Sequence, residues 1–135
     1  MKDIRLAFRA LLLSDATVNG LCAGRCYPVN LPQNMRAPSL VYLRVFDFSD
    51  YHMLGDSGLQ RVSMQLDSWA DKHDGAVQLA DAAADVLTGF AGRVTYDATF
   101  IDIRGIFQSN GRDLSDDVTQ MFRMSRDFTI RYAKF

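Results

Sequence analysis

The sequence contains no glutamate, two histidines and two cysteines, and these shortages exclude several kinds of chemistry. A hydrolase needs a base beside its nucleophile, but His52 and His73 are isolated, and no HExxH or G-x-S-x-G motif is present. A structural zinc site needs four Cys or His ligands at suitable spacing, and Cys22 and Cys26 have no such companions. We therefore predict that the protein is not an enzyme and has no catalytic residues, no metal site and no cofactor.

The chain also lacks a long apolar run and a strong net charge. Its longest aliphatic run covers residues 10–13, far short of the roughly 20 residues that cross a bilayer. The net charge of −1 at pH 7 gives no general attraction to nucleic acid or to acidic lipid. We predict neither a membrane partner nor sequence-specific nucleic acid binding. Two free thiols favour a reducing compartment such as the cytoplasm.

What the sequence does contain is typical of one globular domain over residues 1–135. Hydrophobic residues make up 48% and charged residues 23% of the chain, as is usual for folded proteins. Residues 1–46 carry six basic and two acidic side chains (+4), residues 47–90 two and eight (−6), and residues 91–135 seven and six (+1). Opposite charges in the first two segments are compatible with head-to-tail contact between copies, which closes into a ring when the rotation permits.

Apolar spacing predicts an α+β fold. A stripe of apolar residues predicts a helix over residues 4–13, followed by a short second turn over residues 16–21. An alanine-rich helix ends near Thr88 and begins after a cap at Asp71 or Asp74. Predicted strands cover residues 39–48, 59–70, 93–107 (with an interruption near 97–98) and 118–132, and predicted polar loops cover residues 47–58 and 108–117. The order favours a mainly antiparallel four- to five-stranded sheet with two helices packed on one face.

Helices on one face leave the other face of a small sheet to water or to a partner. Strand alternation places Val62, Met64 and Leu66 on one face, and it groups Ile101 and Ile103 with Phe107. The uncovered face is predicted to carry Tyr42, Arg44, Phe46, Phe48, Arg61, Trp69, Met121, Arg123 and Arg131. This mixture of aromatic residues, methionine and arginine is typical of protein interfaces.

Two of the singled-out side chains have alternative explanations. Trp69 is either a rim residue against the second helix or an interface anchor. Arg126 falls at a position that alternation assigns to the apolar face of its strand. It marks either a bulge or a strand end, or a charge that is kept for a neighbouring subunit.

Several short motifs occur in an order that resembles a known family. The leucine-rich opening helix is followed by Ser-Asp-Ala, and the later motifs are Ala23-Gly24-Arg25-Cys26-Tyr27-Pro28, Leu31-Pro32-Gln33, Ala37-Pro38-Ser39-Leu40-Val41-Tyr42, Leu66-Asp67-Ser68-Trp69-Ala70, Arg112-Asp113-Leu114 and Arg126-Asp127-Phe128. In this order the chain resembles the tailed-bacteriophage tail completion proteins, a small family that includes the tail terminators of long-tailed phages.

The resemblance implies a structural protein of a phage or prophage virion rather than an enzyme. Such proteins form a ring, commonly of six copies, that caps the tail tube, ends its polymerisation and joins it to the head connector. The expected partners are therefore further copies of the chain, the tail tube protein and the head-tail connector protein. The expected location is the head–tail junction of the virion, after synthesis in the host cytoplasm.

Long polar loops are natural candidates for such contacts, since loops that order on binding are common in assembly proteins. We predict that Tyr51, His52, Arg112 and Asp113 lie at one of these contacts. Two alternatives stay open: a head-side connector or stopper with a related fold, and a monomeric cytosolic ligand-binding domain. The second alternative predicts a roomy apolar pocket with convergent polar groups.

Overall fold

The computed structural model describes residues 3–52, 55–116 and 120–133; the side chains of residues 48–52, 55–58 and 116 are outside that description. Within these ranges the chain forms three helices and one six-stranded sheet. The elements are α1 (Ile4–Ser14), α2 (Ala16–Cys22), β1 (Cys26–Pro28), β2 (Ser39–His52), β3 (Gly55–Ala70), α3 (His73–Leu87), β4 (Gly92–Tyr96), β5 (Thr99–Asp116) and β6 (Met121–Ala133). The α+β class is confirmed.

The first two helices begin where the sequence provides capping carboxylates. Asp3 caps α1 by accepting a hydrogen bond from the Arg5 backbone N–H, and its side-chain bonds with the Arg5 guanidinium lower the pKa of that carboxyl. Asp15 caps α2 through a 3.0 Å bond from the Val18 N–H. The predicted cap of α3 is wrong, because Lys72 occupies the N-cap position and makes no side-chain capping bond.

The sheet has the strand order β1-β2-β3-β6-β5-β4, and β1 pairs with β2 in the parallel direction. All other neighbours are antiparallel. Six strands replace the predicted four to five for two reasons. The predicted strand over residues 93–107 is a hairpin, because Asp97 and Ala98 both adopt positive φ (44° and 60°) at its turn. In addition, a short strand, β1, forms over Cys26–Pro28.

The two predicted polar loops are wrong. The β2–β3 hairpin continues to the pair His52↔Gly55, and the β5–β6 hairpin continues to the pair Asp116↔Met121. Polar residues and glycines are tolerated in these segments because backbone pairing continues to the strand ends. The register between β3 and β6 makes the two hairpins point in opposite directions along the sheet.

All three helices contribute to a core that lies on one face of the sheet. We call this the covered face, and its buried strand residues include Leu40, Tyr42, Val62, Met64, Leu66, Ile103, Ile106, Phe128, Ile130 and Tyr132. The Tyr96 hydroxyl donates a 3.1 Å bond to the Asp3 carbonyl, which ties the start of α1 to β4. Cys22 and Cys26 are both free and buried in this core, and burial raises the pKa of the Cys26 thiol to about 12.

The prediction that Tyr42 lies on the uncovered face is wrong. Tyr42 pairs with Leu66 in the register of β2 and β3. The centroid of its ring lies 6.4 Å from the centroid of the Phe8 ring on α1. The strand is apolar on both faces at this point, so alternation alone does not identify the side that the helix covers.

Candidate protein–protein interface

The face opposite the helices is defined by the strand register. We call it the open face, and its described side chains on the four central strands include Leu43, Phe46, Leu59, Arg61, Ser63, Gln65, Asp67, Trp69, Phe107, Arg112, Leu114, Met121, Arg123, Ser125, Asp127, Thr129 and Arg131. In the strand register, Trp69 lies in line with Arg123 and Leu114 at one end of this face, and Arg61 lies opposite Arg131 at the other end. The open face divides into two halves with different character.

The half around Trp69 is a network of paired side chains. The Arg123 guanidinium carbon lies 5.2 Å from the centroid of the Trp69 ring, a cation–π contact, and its Nη1 lies 3.7 Å from Oδ2 of Asp67. Asp67 is only 4% exposed, so the guanidinium compensates a carboxylate that is largely removed from water. Trp69 is therefore held by its own subunit on the open face, away from the helices.

A second set of contacts extends this network across β5. Arg112 donates to Oε1 of Gln65 at 3.4 Å and lies 3.5 Å from Oδ2 of Asp127, while the Gln65 amide donates to Asp67 at 3.1 Å. Oδ1 of Asp127 and Oγ of Ser125 are buried with no hydrogen-bond partner among the described residues. Buried polar atoms without partners are uncommon, so this half of the open face has hydrogen-bonding capacity that the described residues of its own chain do not use.

The other half of the open face is exposed, cationic and aromatic. We call it the cationic patch; it consists of Phe46, Phe107, Arg61 and Arg131. Phe46 is 53% exposed and Phe107 is 56% exposed. Arg61 lies directly opposite Arg131 on the neighbouring strand, and like charges at such positions are destabilising. The patch therefore places exposed aromatic rings beside two arginines, a combination that is typical of protein interfaces.

The patch contains a phenylalanine that sequence reasoning misplaced. Alternation groups Phe107 with Ile101 and Ile103, but a register shift between Ile103 and Gly105 moves Phe107 to the open face. Its ring lies against Gly105, where an added Cβ would stand 3.2 Å from the ring carbons. An exposed ring thus lies beside Arg131, the register partner of Gly105.

A register shift also divides the predicted interface residues of β2. The shift between Arg44 and Phe46 leaves Arg44 level with Met64 on the covered face and moves Phe46 to the open face. Arg44 forms a 3.2 Å ion pair with Asp47 there. The placement of Arg44 on the uncovered face is therefore wrong, whereas that of Phe46 agrees with the structure.

Arg126 lies on the covered face at neither a bulge nor a strand end, and its contact with a neighbouring subunit stays a prediction. It pairs in regular register with Leu66 and Gly111. Its Nη2 donates to the Asp81 carboxylate at 2.7 Å and its Nη1 donates to the Ala80 carbonyl at 3.3 Å, both on α3. The charge at an apolar position is thus used within the chain to bind a helix to the sheet.

The remaining predicted contact residues lie near the hairpin ends. Asp113 is exposed and takes the covered-face register opposite Met124. Phe48 is level with Arg61, and Tyr51 and His52 occupy the end of β2. The side chains of these last three residues lie outside the described part of the chain, so their predicted interface role stays a prediction.

Two further findings concern ligands and membranes. Among the described residues, no cluster of His, Cys, Asp or Glu side chains could hold a metal ion. The helices within the described ranges include none with the length and apolar character needed to span a membrane.

The sequence matches the family model of the tail completion protein gp17 over residues 7–133. The chain belongs to this family. As a tail completion protein it is a structural component of a phage or phage-like virion, where it assembles with other virion proteins. No curated protein matches it in sequence. The family membership confirms the resemblance found in the sequence motifs.

Solved structures support the same fold. The tail completion chain is similar to a chain from the virion of a native gene transfer agent particle, with a TM-score of 0.72, 16% identity, and coverage of 96% of this chain and 94% of that chain. A second solved structure matches with a TM-score of 0.58 at 13% identity, covering 97% of this chain and 96% of that chain. At these identities the similarity concerns the fold alone.

Proposed function

We propose that this tail completion protein forms a ring that caps the tail tube, ends its polymerisation and joins it to the head connector. The family match supports a role in finishing the tail. The single structural observation that carries the ring is the open face, where exposed aromatic and arginine side chains lie on a sheet whose helices all pack on the other side. A subunit with two unlike faces suits head-to-tail contacts, which generate closed rings when the rotation permits.

Contacts along the axis of the ring need a second set of surfaces. The two long hairpins extend in opposite directions, so one end of each subunit could meet the tube and the other end the connector. Tyr51 and His52, at the end of β2, and Arg112 and Asp113, on β5, are the proposed contact residues. Loops or hairpins that become ordered on binding would allow the ring to fit the tube at only one of its two ends.

Deletion of the gene, followed by electron microscopy of lysates, tests this proposal. A terminator that is absent leaves tube polymerisation unchecked, so we expect overlong tails without heads, and a plasmid copy of the wild-type gene should restore normal length. Tails of normal length that remain separate from heads would instead favour the connector or stopper role. Normal tails attached to heads would contradict both roles.

A further inference from the structure

The helix layer carries an acidic groove that complements the cationic patch. The groove has a volume of about 650 Å³ and lies between α3 and the end of α1 with the start of α2. Its lining includes three acids (Asp15, Asp81 and Asp85) and no basic residue, and its apolar wall includes Leu11, Ala82, Val86 and Phe90.

One acid of this groove, Asp85, is poorly compensated within the described residues, whereas the Asp15 carboxylate accepts the capping bond from the Val18 N–H. Asp85 lies in the last turn of α3, where no basic residue is present and where a negative charge opposes the helix dipole. It follows Asp81 by four positions, a spacing at which like charges destabilise a helix. Arg126 pairs with Asp81, but the Asp85 carboxylate has no hydrogen bond or ion pair with the described residues. The helix layer thus mirrors the open face, where Arg131 likewise has no hydrogen bond or ion pair with the described residues.

We propose that the cationic patch of one copy docks into the acidic groove of the next copy, with Phe107 seated against the apolar wall and Arg131 paired with Asp85. The inference rests on the proposed ring and identifies the surfaces that form it. Charge complementarity selects a second copy as the occupant, since Arg131 and Asp85 carry opposite charges and neither has a partner among the described residues. The two surfaces are on opposite layers of the subunit, so the contact is heterologous and continues from copy to copy.

The aromatic side chain gives the contact an apolar centre as well as a charged rim. Phe107 is an exposed ring held against Gly105, and the groove offers Val86 and Phe90 beside its acids. Interfaces derive most of their affinity from a few buried aromatic and arginine anchors surrounded by weaker contacts. Arg131 has no hydrogen bond or ion pair within the described residues. Pairing with Asp85 of the next copy therefore breaks no such bond within its own subunit.

Charge reversal with rescue tests the contact, with complementation of the gene deletion as the readout. Arg131→Asp and Asp85→Arg should each lower the fraction of tails with normal length at least tenfold, and the double variant should recover at least half of it, because the pair is restored with reversed sign. Neither single variant should be impaired in folding. Arg131→Asp removes the like-charge opposition with Arg61, and Asp85→Arg places a cation at the end of α3.

Matched controls and a second measurement separate the possible outcomes. Lys72→Asp and Asp71→Arg reverse exposed charges outside both surfaces and should complement like wild type. In sedimentation at low salt, each single reversal should weaken self-association of the purified protein at least tenfold, and the double variant should restore it. If the deletion disturbs tails but all charge variants complement fully, or if the double variant is not rescued, the proposed contact is wrong while the ring proposal stands. A deletion with normal tails attached to heads overturns the ring proposal itself.

Discussion

Phe128 and Phe107 lie on neighbouring strands of one sheet and face opposite sides of it. Phe128 is 0% exposed and belongs to the core beneath the helices, whereas Phe107 is 56% exposed above Gly105. The same residue type therefore has two different roles on the two faces. The covered face supplies the burial that stabilises the fold, and the open face keeps apolar and charged groups available for contacts outside the subunit.

The comparison extends to the charges. On the covered face, Arg126 is bound by two groups of α3 at 2.7 and 3.3 Å. On the open face, Arg123 is bound over Trp69 and beside Asp67, but Arg131 stands opposite another arginine. Arg126 is thus paired within its own chain, whereas Arg131 has neither a hydrogen bond nor an ion pair with the described residues. Unfavourable arrangements that persist in a folded protein are expected where function requires them.

The largest expected effect contrasts the two phenylalanines directly. Phe128→Ala should lower the free energy of unfolding by about 3–5 kcal/mol, since it removes a fully buried ring and leaves a cavity. Phe107→Ala should change it by less than about 1 kcal/mol, because the ring is largely exposed. Urea unfolding followed by circular dichroism measures both values. A comparable loss for Phe107→Ala would mean that the open face supports the fold rather than association.

The sequence predicted one face of the sheet well. Val62, Met64 and Leu66 alternate with polar residues, and all three are buried on the covered face as alternation requires. The signal is clear because β3 is a central strand with one face against the helices, so a one-residue slip would expose every apolar side chain.

The open face was predicted less well because two register shifts change the meaning of alternation. Arg44 and Phe46 have the same parity, yet the shift between them places the two side chains on opposite faces. The shift before Gly105 likewise removes Phe107 from the face of Ile103. Bulges depend on the twist and pairing of the whole sheet. Gly105 is the kind of isolated strand glycine that can indicate one, whereas the site between Arg44 and Phe46 has no such signal.

Prediction of the hairpin ends and of the candidate contacts was also limited by interactions between segments that are distant in the sequence. The β5–β6 hairpin reaches Asp116 through Ser, Asn and Gly residues, a composition that usually indicates a loop. Long-range pairing with β6 overrides it. The acidic groove also could not be predicted, because its walls come from helices that are distant in the sequence.

A second prediction concerns the thiol in the covered core. Burial raises the pKa of Cys26 from the ordinary 9.0 to about 12, so the unfolded chain loses this proton at lower pH than the folded chain does. The stability that the thiol contributes is fully present below pH 9 and is lost as the pH rises toward 12. Between pH 8 and 10.5 the free energy of unfolding of the wild type should fall by about 2 kcal/mol more than that of Cys26→Ala.

Urea unfolding at several pH values measures this difference. Val18→Ala is a suitable control, because Val18 is also buried in the core but does not titrate; its alkaline loss should equal that of the wild type. Two tyrosines whose pKa burial also raises, Tyr42 and Tyr132, add to the alkaline loss of every variant and cancel in the comparison. Parallel pH profiles for wild type and Cys26→Ala would show that the thiol titrates alike in both states.

The smallest expected effect is an increase, rather than a decrease, in the free energy of unfolding. It tests directly whether the open face carries a charge that the fold itself does not need. Arg131→Thr should raise the free energy of unfolding by a few tenths of a kcal/mol, up to about 1 kcal/mol, because it removes the charge opposite Arg61 and introduces a residue that favours strands. Arg131→Lys, which keeps the charge, should leave stability unchanged. Urea midpoints at low salt measure the gain, and added salt should reduce it by screening the wild-type repulsion. A subunit that becomes more stable while its assembly weakens would show that this arginine serves the contact between copies, whereas a loss of stability would mean that the charge is already balanced within the chain.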